Sequence, residues 1–213
     1  IWADRYDRDL SNIFAVQDEI CEEIVTAIAP QIDLADIRRS EAKTTKNMEA
    51  WDCYMQGLAR ANEITPENCR LARDLFLQAI DQDPQFPLAY VQLGRTYFQN
   101  FALFAGKALD IPGAESLSKA ADSVRKALEL DKNQPVARGH LALISVFMGE
   151  AASARAEGEA AVRLNPSDAL AHASLAGALF ALGEIDNGLE EVRLAQRLSP
   201  SDSLMWYFLH VEA

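Results

Sequence analysis

A 34-residue period in the second half of the chain constrains the fold more than any other feature. Ala127, Ala161 and Ala195 stand 34 residues apart, as do Leu130, Leu164 and Leu198, and Leu141, Leu175 and Leu209. Gly149 and Gly183, Pro166 and Pro200, and Ala142 and Ala176 keep the same interval. Coincident columns at one interval mean a repeated supersecondary unit. Such a unit cannot bury its apolar face alone and has to stack on its neighbours. Helix formers dominate each interval, and the period-2 alternation of strands is absent, so the predicted class is all-α.

Within the unit 135–168, Leu141-Ala142 lie on a first helix, Ala154 and Ala161 are the small residues of a second, and Pro166 closes it. In the unit 169–202 those places fall to Leu175-Ala176, Gly188, Ala195 and Pro200. Small residues let two helices approach closely, and a proline stops a helix because it lacks an N–H and clashes with the preceding turn. This pattern resembles the tetratricopeptide repeat family, in which each unit is a pair of antiparallel helices. The resemblance implies an α-α solenoid wound as a right-handed superhelix.

Two earlier units fit with insertions. The one spanning 47–86 holds Trp51, Tyr54 and Gly57-Leu58, then Ala72, Phe76, Ala79 and Pro84. Thr65-Pro66-Glu67 predicts a helix N-cap with proline at the first helical position. The unit 87–134 shows Tyr90, Leu93-Gly94 and Tyr97 and resumes at Ala120, Val124 and Ala127. Gly94 and Ala120 are 26 residues apart where the regular units have 12, a 14-residue excess placed between about Phe101 and Ser116. A last helix, 203–213, carries Trp206 and Leu209, so the repeat region 47–213 is four units plus one helix.

Residues 1–46 stand outside this register. Ile13, Phe14, Val16, Ile20, Ile24, Val25, Ile28 and Ile32 form one stripe at helical spacing, predicting a helix from about Ser11 that Pro30 ends or kinks. The phrases Ile1-Trp2-Ala3-Asp4-Arg5-Tyr6-Asp7-Arg8-Asp9-Leu10 and Ile13-Phe14-Ala15-Val16-Gln17-Asp18-Glu19-Ile20 are more specific. They resemble the segment that precedes tetratricopeptide repeats in bacterial class III adenylate/guanylate cyclase-like proteins, where it ends a domain similar to the N-terminal domain of TolB. Ala50-Trp51-Asp52-Cys53-Tyr54-Met55-Gln56-Gly57-Leu58 extends the likeness. The same arrangement accompanies winged-helix regulators similar to the pH-sensing activator family. Opening on Ile1 without a signal-peptide pattern, the sequence reads as a piece of a longer, cytoplasmic chain with its catalytic domain upstream.

The stretch itself offers no chemistry. Lys and Arg number 20 against 32 Asp and Glu, a formal charge of −12, and a phosphate-neutralising surface needs the opposite balance. Nucleic acid is therefore excluded as a partner class, and no apolar run reaches the length of a membrane span. Cys21, Cys53 and Cys69 have neither disulfide nor zinc spacing. Asp4, Asp7 and Asp9 alternate with Arg5 and Arg8, the pattern of a solvated turn and not of a metal pair. His140, His172 and His210 occupy different positions of their units and converge on no point, and Asp81 and Asp83 read as helix-terminal polar residues. No catalytic, cofactor or metal residue is predicted.

The predicted functional surface is the concave face lined by the first helix of each unit. Its positions give Leu88, Val91, Arg95, Phe98 and Gln99, then Val136, Gly139, Leu143, Val146 and Phe147. Leu170, Ala173, Gly177, Phe180 and Ala181 follow, and the last helix adds Leu204 and Tyr207. Members of the family that bind chaperones hold a carboxylate there with Lys, Asn and Arg. These positions are mostly apolar or small, so that clamp is missing. The expected occupant is a protein or peptide: a hydrophobic helix, the chain's own N-terminal segment, or a second copy in a homo-oligomer. The competing reading is a tightly wound array that fills its groove with its own side chains. A ligand pocket over the inserted segment is a further expectation, resting on Phe101, Leu103, Phe104, Leu109 and Ile111 with Gly106 and Gly113.

Overall fold

The computed structural model describes residues 45–199. The stripe and phrases of residues 1–44, and the final helix 203–213 with Leu204, Trp206 and Tyr207, lie outside the described residues. Within them run eight helices and no strand: α1 (Met48–Ala61), α2 (Pro66–Gln82), α3 (Pro87–Ala102), α4 (Gly113–Leu130), α5 (Pro135–Phe147), α6 (Ala151–Leu164), α7 (Ala169–Ala181) and α8 (Ile185–Leu198).

Local chemistry sets the helix ends. Thr65 caps α2 by accepting the Asn68 N–H at 3.1 Å, and Pro66 follows at the first position. Asn47 accepts the Glu49 and Ala50 N–H groups at the head of α1, and Asp168 does the same for Leu170 and Ala171 at α7. Where a second helix hands over to the next first helix, the last residue leaves the helical region with φ near −140°. This holds at Asp83, Asp131 and Asn165, and Ser199 at the end of α8 has the same φ. The side chains of Asp83, Asp131 and Asn165 each accept the N–H two residues on, at 3.0, 3.0 and 3.2 Å, which turns the chain over a short link.

Between first and second helices, α5 and α7 end identically. Gly149 and Gly183 adopt φ of +77° and +80°. The Glu150 N–H then reaches Ser145 O and the Glu184 N–H reaches Leu179 O, both at 2.9 Å, so carbonyls left over at the helix end are satisfied.

Two helices form each pair, α1 with α2 through α7 with α8, and each second helix packs on the next first helix. The close approach is visible at the small residues. A Cβ on Gly94 of α3 would lie 2.5 Å from Val124 Cγ2 and 3.0 Å from Ala120 O. One on Gly188 of α8 would lie 2.4 Å from the Phe180 ring, and one on Gly57 of α1 2.6 Å from the ring of Phe76. Ala79, Ala127, Ala161 and Ala195 are completely buried, with Phe76, Val124 and Val192 filling the space beside them.

The 14-residue excess is shared out instead of forming one loop. The helix α3 has 16 residues against 13 in α5 and α7, and α4 has 18 against 14 in α6 and α8. Only 103–112 connects them, with Ala105, Gly106 and Asp110 at positive φ. Buried Asn100 organises this link: it accepts the Leu109 N–H at 3.0 Å and donates to Ser116 Oγ at 2.6 Å. Arg70 of α2 donates to Ala108 O at 2.6 Å, and Ala108 and Leu109 are buried. The segment is packed down on the repeats.

Gly149→Ala and Gly183→Ala should each cost about 1 kcal/mol in chemical denaturation. A Cβ at either place meets nothing within 4 Å, so the whole cost is the left-handed backbone. Gly94→Ala should cost more, roughly 1–3 kcal/mol, because Val124 and the α4 backbone have no room to yield.

Candidate functional site

The stacking order decides which helices face inwards. The helix α5 packs along α7, and α3 touches α5, whereas the second helices pack on first helices and are not neighbours of one another. First helices therefore make the inner layer and second helices the outer one. At the α5–α7 contact a Cβ on Gly139 would sit in ordinary van der Waals contact, 3.7 Å from Ala171 Cα and 3.8 Å from Leu170 Cγ.

The positions expected to line the inner face fall into two groups by exposure. Val91, Phe98, Gln99, Leu143 and Ala173 are buried. Leu88, Arg95, Val136, Leu170 and Phe180 are half-buried, and Phe147 is 36% exposed. Phe98 and Phe147 are brought together across α3 and α5 with ring centroids 5.3 Å apart, and Phe101 completes a trio at 6.1 and 5.7 Å. Such offset and edge-on contacts add to the burial of the rings themselves. Phe180 lies over Gly188 of its own unit, away from that trio. The Gln99 Nε2 and Ser145 Oγ atoms are buried without a hydrogen-bond partner.

Arg95 is the cation of this face. Its charge acts on Tyr54 of α1 and on His140 of α5, the first helices on either side. Burial, reinforced by Arg95, pushes the His140 imidazole down from 6.5 to about 3, so the ring is neutral in the fold. Burial likewise raises the Tyr54 hydroxyl and takes the Cys69 thiol up to about 11, which leaves Cys69 an inert core thiol. Among the described residues no group of three His, Cys, Asp or Glu side chains could hold a metal ion. No helix among them is long and apolar enough to cross a membrane.

One polar arrangement was not among the sequence expectations. Arg138 of α5 donates to Glu157 of α6 at 2.6 Å and to Lys132 O at 2.8 Å. Thirty-four residues later, His172 of α7 sets Nδ1 2.5 Å from Glu191 Oε2 of α8 and Nε2 3.0 Å from Pro166 O. The 34-residue spacing of Arg138 to His172, Glu157 to Glu191 and Lys132 to Pro166 was there to be read.

No family model matches the chain. Among curated proteins it is similar to Putative adenylate cyclase 3 of Rhizobium meliloti (strain 1021), at 26% identity over 148 residues. That match covers 70% of this chain but spans only 24% of the relative. Among solved structures it overlays on MamA 41-end from Desulfovibrio magneticus RS-1 with a TM-score of 0.52 at 17% identity, over 76% of this chain and 81% of the other. A second crystal structure of MamA gives 0.52 at 19%, over 76% and 84%. The first tetratricopeptide domain of human RPAP3 overlays at a TM-score of 0.47 and 21% identity, over 60% and 89%.

The fold is a tetratricopeptide-type solenoid. It rests on the 34-residue helix pairs, the inner layer of first helices and the repeated glycine turns, and the MamA overlays agree with it. In this solenoid the half-buried side chains and Phe147 are the part of the inner face that another molecule can touch. Val91, Phe98 and Leu143 serve as core.

Acid should weaken the solenoid through His140. The unfolded chain takes up a proton below 6.5, while the folded ring resists it down to about 3. Stability is thus fully present above 6.5 and falls with pH below it, by up to about 1.4 kcal/mol per pH unit for this one group. Denaturation midpoints across that window should show a shallower decline in His140→Gln than in the natural chain.

Proposed function

We propose that this stretch is the protein-interaction and regulatory part of a bacterial signalling protein of the adenylate cyclase type, with the catalysis performed by a domain upstream of it. The single observation that carries this reading is the similarity to Putative adenylate cyclase 3, which reaches only 24% of that protein's length. Three quarters of the relative is then left to hold the chemistry. A class III cyclase needs two acidic residues holding Mg²⁺ against the nucleotide phosphates. The described residues supply an inner layer of helices lined by apolar side chains instead.

On this reading the partner is a protein or peptide that covers Leu88, Val136, Phe147 and Leu170, with Arg95 facing a polar or acidic group of it. An apolar face of this kind is the usual mark of a protein-binding surface. The cellular location is the cytoplasm, where cyclic nucleotides are made from ATP or GTP.

Two assays test the proposal. The purified stretch should release no cyclic nucleotide from ATP or GTP, and turnover by it would place the chemistry here after all. A longer reading frame that includes the upstream region should be active, and Leu170→Glu together with Val136→Glu should alter its regulation while leaving the cyclase centre intact. An upstream region that binds DNA and makes no cyclic nucleotide would replace the cyclase reading with that of a winged-helix regulator.

A further inference from the structure

We propose that the α7–α8 pair is fastened by a strut that depends on one proton, His172–Glu191, whereas the α5–α6 pair carries the same strut in permanent form as Arg138–Glu157. Both struts join three elements: the link before the unit, its first helix and its second helix. The lengthened unit is the internal control. There the matching first-helix residue is Tyr90, whose hydroxyl donates to Pro84 O at 3.4 Å, and Ser123 stands where Glu157 would be. Its hydroxyl turns back to Lys119 O at 2.8 Å. The acid on the second helix is present where the first helix offers a side chain that can be positive, and absent where it does not.

Hydrogen-bond valence then fixes the protons. Pro166 O can only accept, so His172 Nε2 carries a hydrogen. An ionised Glu191 also only accepts, so either Nδ1 carries a second hydrogen or the carboxyl does. Either way the strut holds one proton more than a neutral imidazole beside a carboxylate. Remove it, and the one N–H left on the ring can serve the carboxylate or Pro166 O but not both, at a His172 side chain only 6% exposed, where little water can replace the lost bond. A guanidinium cannot be emptied in this way, so Arg138 holds regardless of pH.

Other charges around α7 are accounted for. Apart from His172, α7 itself has no ionisable side chain, and Asp168 at its head is engaged by the Leu170 and Ala171 N–H groups. On α5 the ionisable groups are Arg138, paired with Glu157, and His140, held neutral by burial. On α6, Arg155 pairs with Glu159 and with Glu184 of the turn, and Arg163 lies near Glu159. The remaining charges of α8, namely Asp186, Glu190, Arg193 and Arg197, are exposed. Glu191 is therefore the charged partner of His172.

The test is amide hydrogen exchange of the whole chain at mildly acidic and alkaline pH, corrected for intrinsic rates and compared between helix pairs. With His140→Gln in place, so that its acid response is removed, raising the pH should lower protection in α7 and α8 about tenfold, the scale of a lost charge-assisted hydrogen bond, while α5 and α6 hold. His172→Arg should abolish that pH dependence. Where the larger guanidinium prevents folding, as circular dichroism would show, His172→Gln replaces it and should give low protection at both pH values. Equal loosening of α5–α6 and α7–α8 would overturn the strut. So would a pH response that survives in His172→Arg or His172→Gln.

Discussion

The array depends on the closeness with which the two helices of a unit approach, a distance that only side chains without bulk permit. At Gly57, Gly94 and Gly188 the opposing residue, Phe76, Val124 or Phe180, occupies the space a Cβ would need. The alanine columns of the second helices do the same work, and all are fully buried. Once two helices are held at that distance, their outer faces present ridges that the next pair can fit. Stability then builds by addition along the stack, each unit leaning on its neighbours and not on a common centre. The turns follow from the same geometry. A left-handed glycine reverses the chain within a unit, and an Asx turn passes it to the next.

Most of this was legible because the signals are local. A Thr-Pro-Glu at a helix head, a glycine just past a helix end and a proline after it act through their immediate neighbours, so their meaning survives without a structure. Asp83, read as a helix-terminal residue, is the C-cap of α2 and forms one of the Asx turns. The length of the insertion was also countable, since the columns resume after it. Its distribution was not, because it is decided by Asn100 reaching Leu109 and Ser116 and by Arg70 reaching Ala108, contacts that belong to tertiary packing.

The inner face shows the same division. Register put Phe98 and Phe147 at matching places on neighbouring first helices, and their rings meet there. Register does not reveal how deeply they lie. That depth depends on how closely neighbouring helices close over each side chain, as α6 and α7 do where a Cβ on Gly158 would lie 3.1 Å from Leu175 Cα. The Arg138 and His172 struts escaped the sequence for a different reason. A basic and an acidic residue 19 apart on an acidic chain look like surface charges until the two helices are folded against each other. The histidines were compared with one another, while the informative comparison for His172 was Arg138.

The lengthened unit also makes the array uneven along its axis. Added turns carry α3 past the point where α5 ends, and the two meet through the Phe98, Phe101 and Phe147 rings more than along a continuous seam. By contrast α5 and α7 are equal in length and pack along each other. The aromatic trio lies where the lengthened unit meets the regular ones, beside the packing of α4 on α5. Phe147 belongs to that contact and is 36% exposed. It thus packs against the lengthened unit while remaining partly exposed.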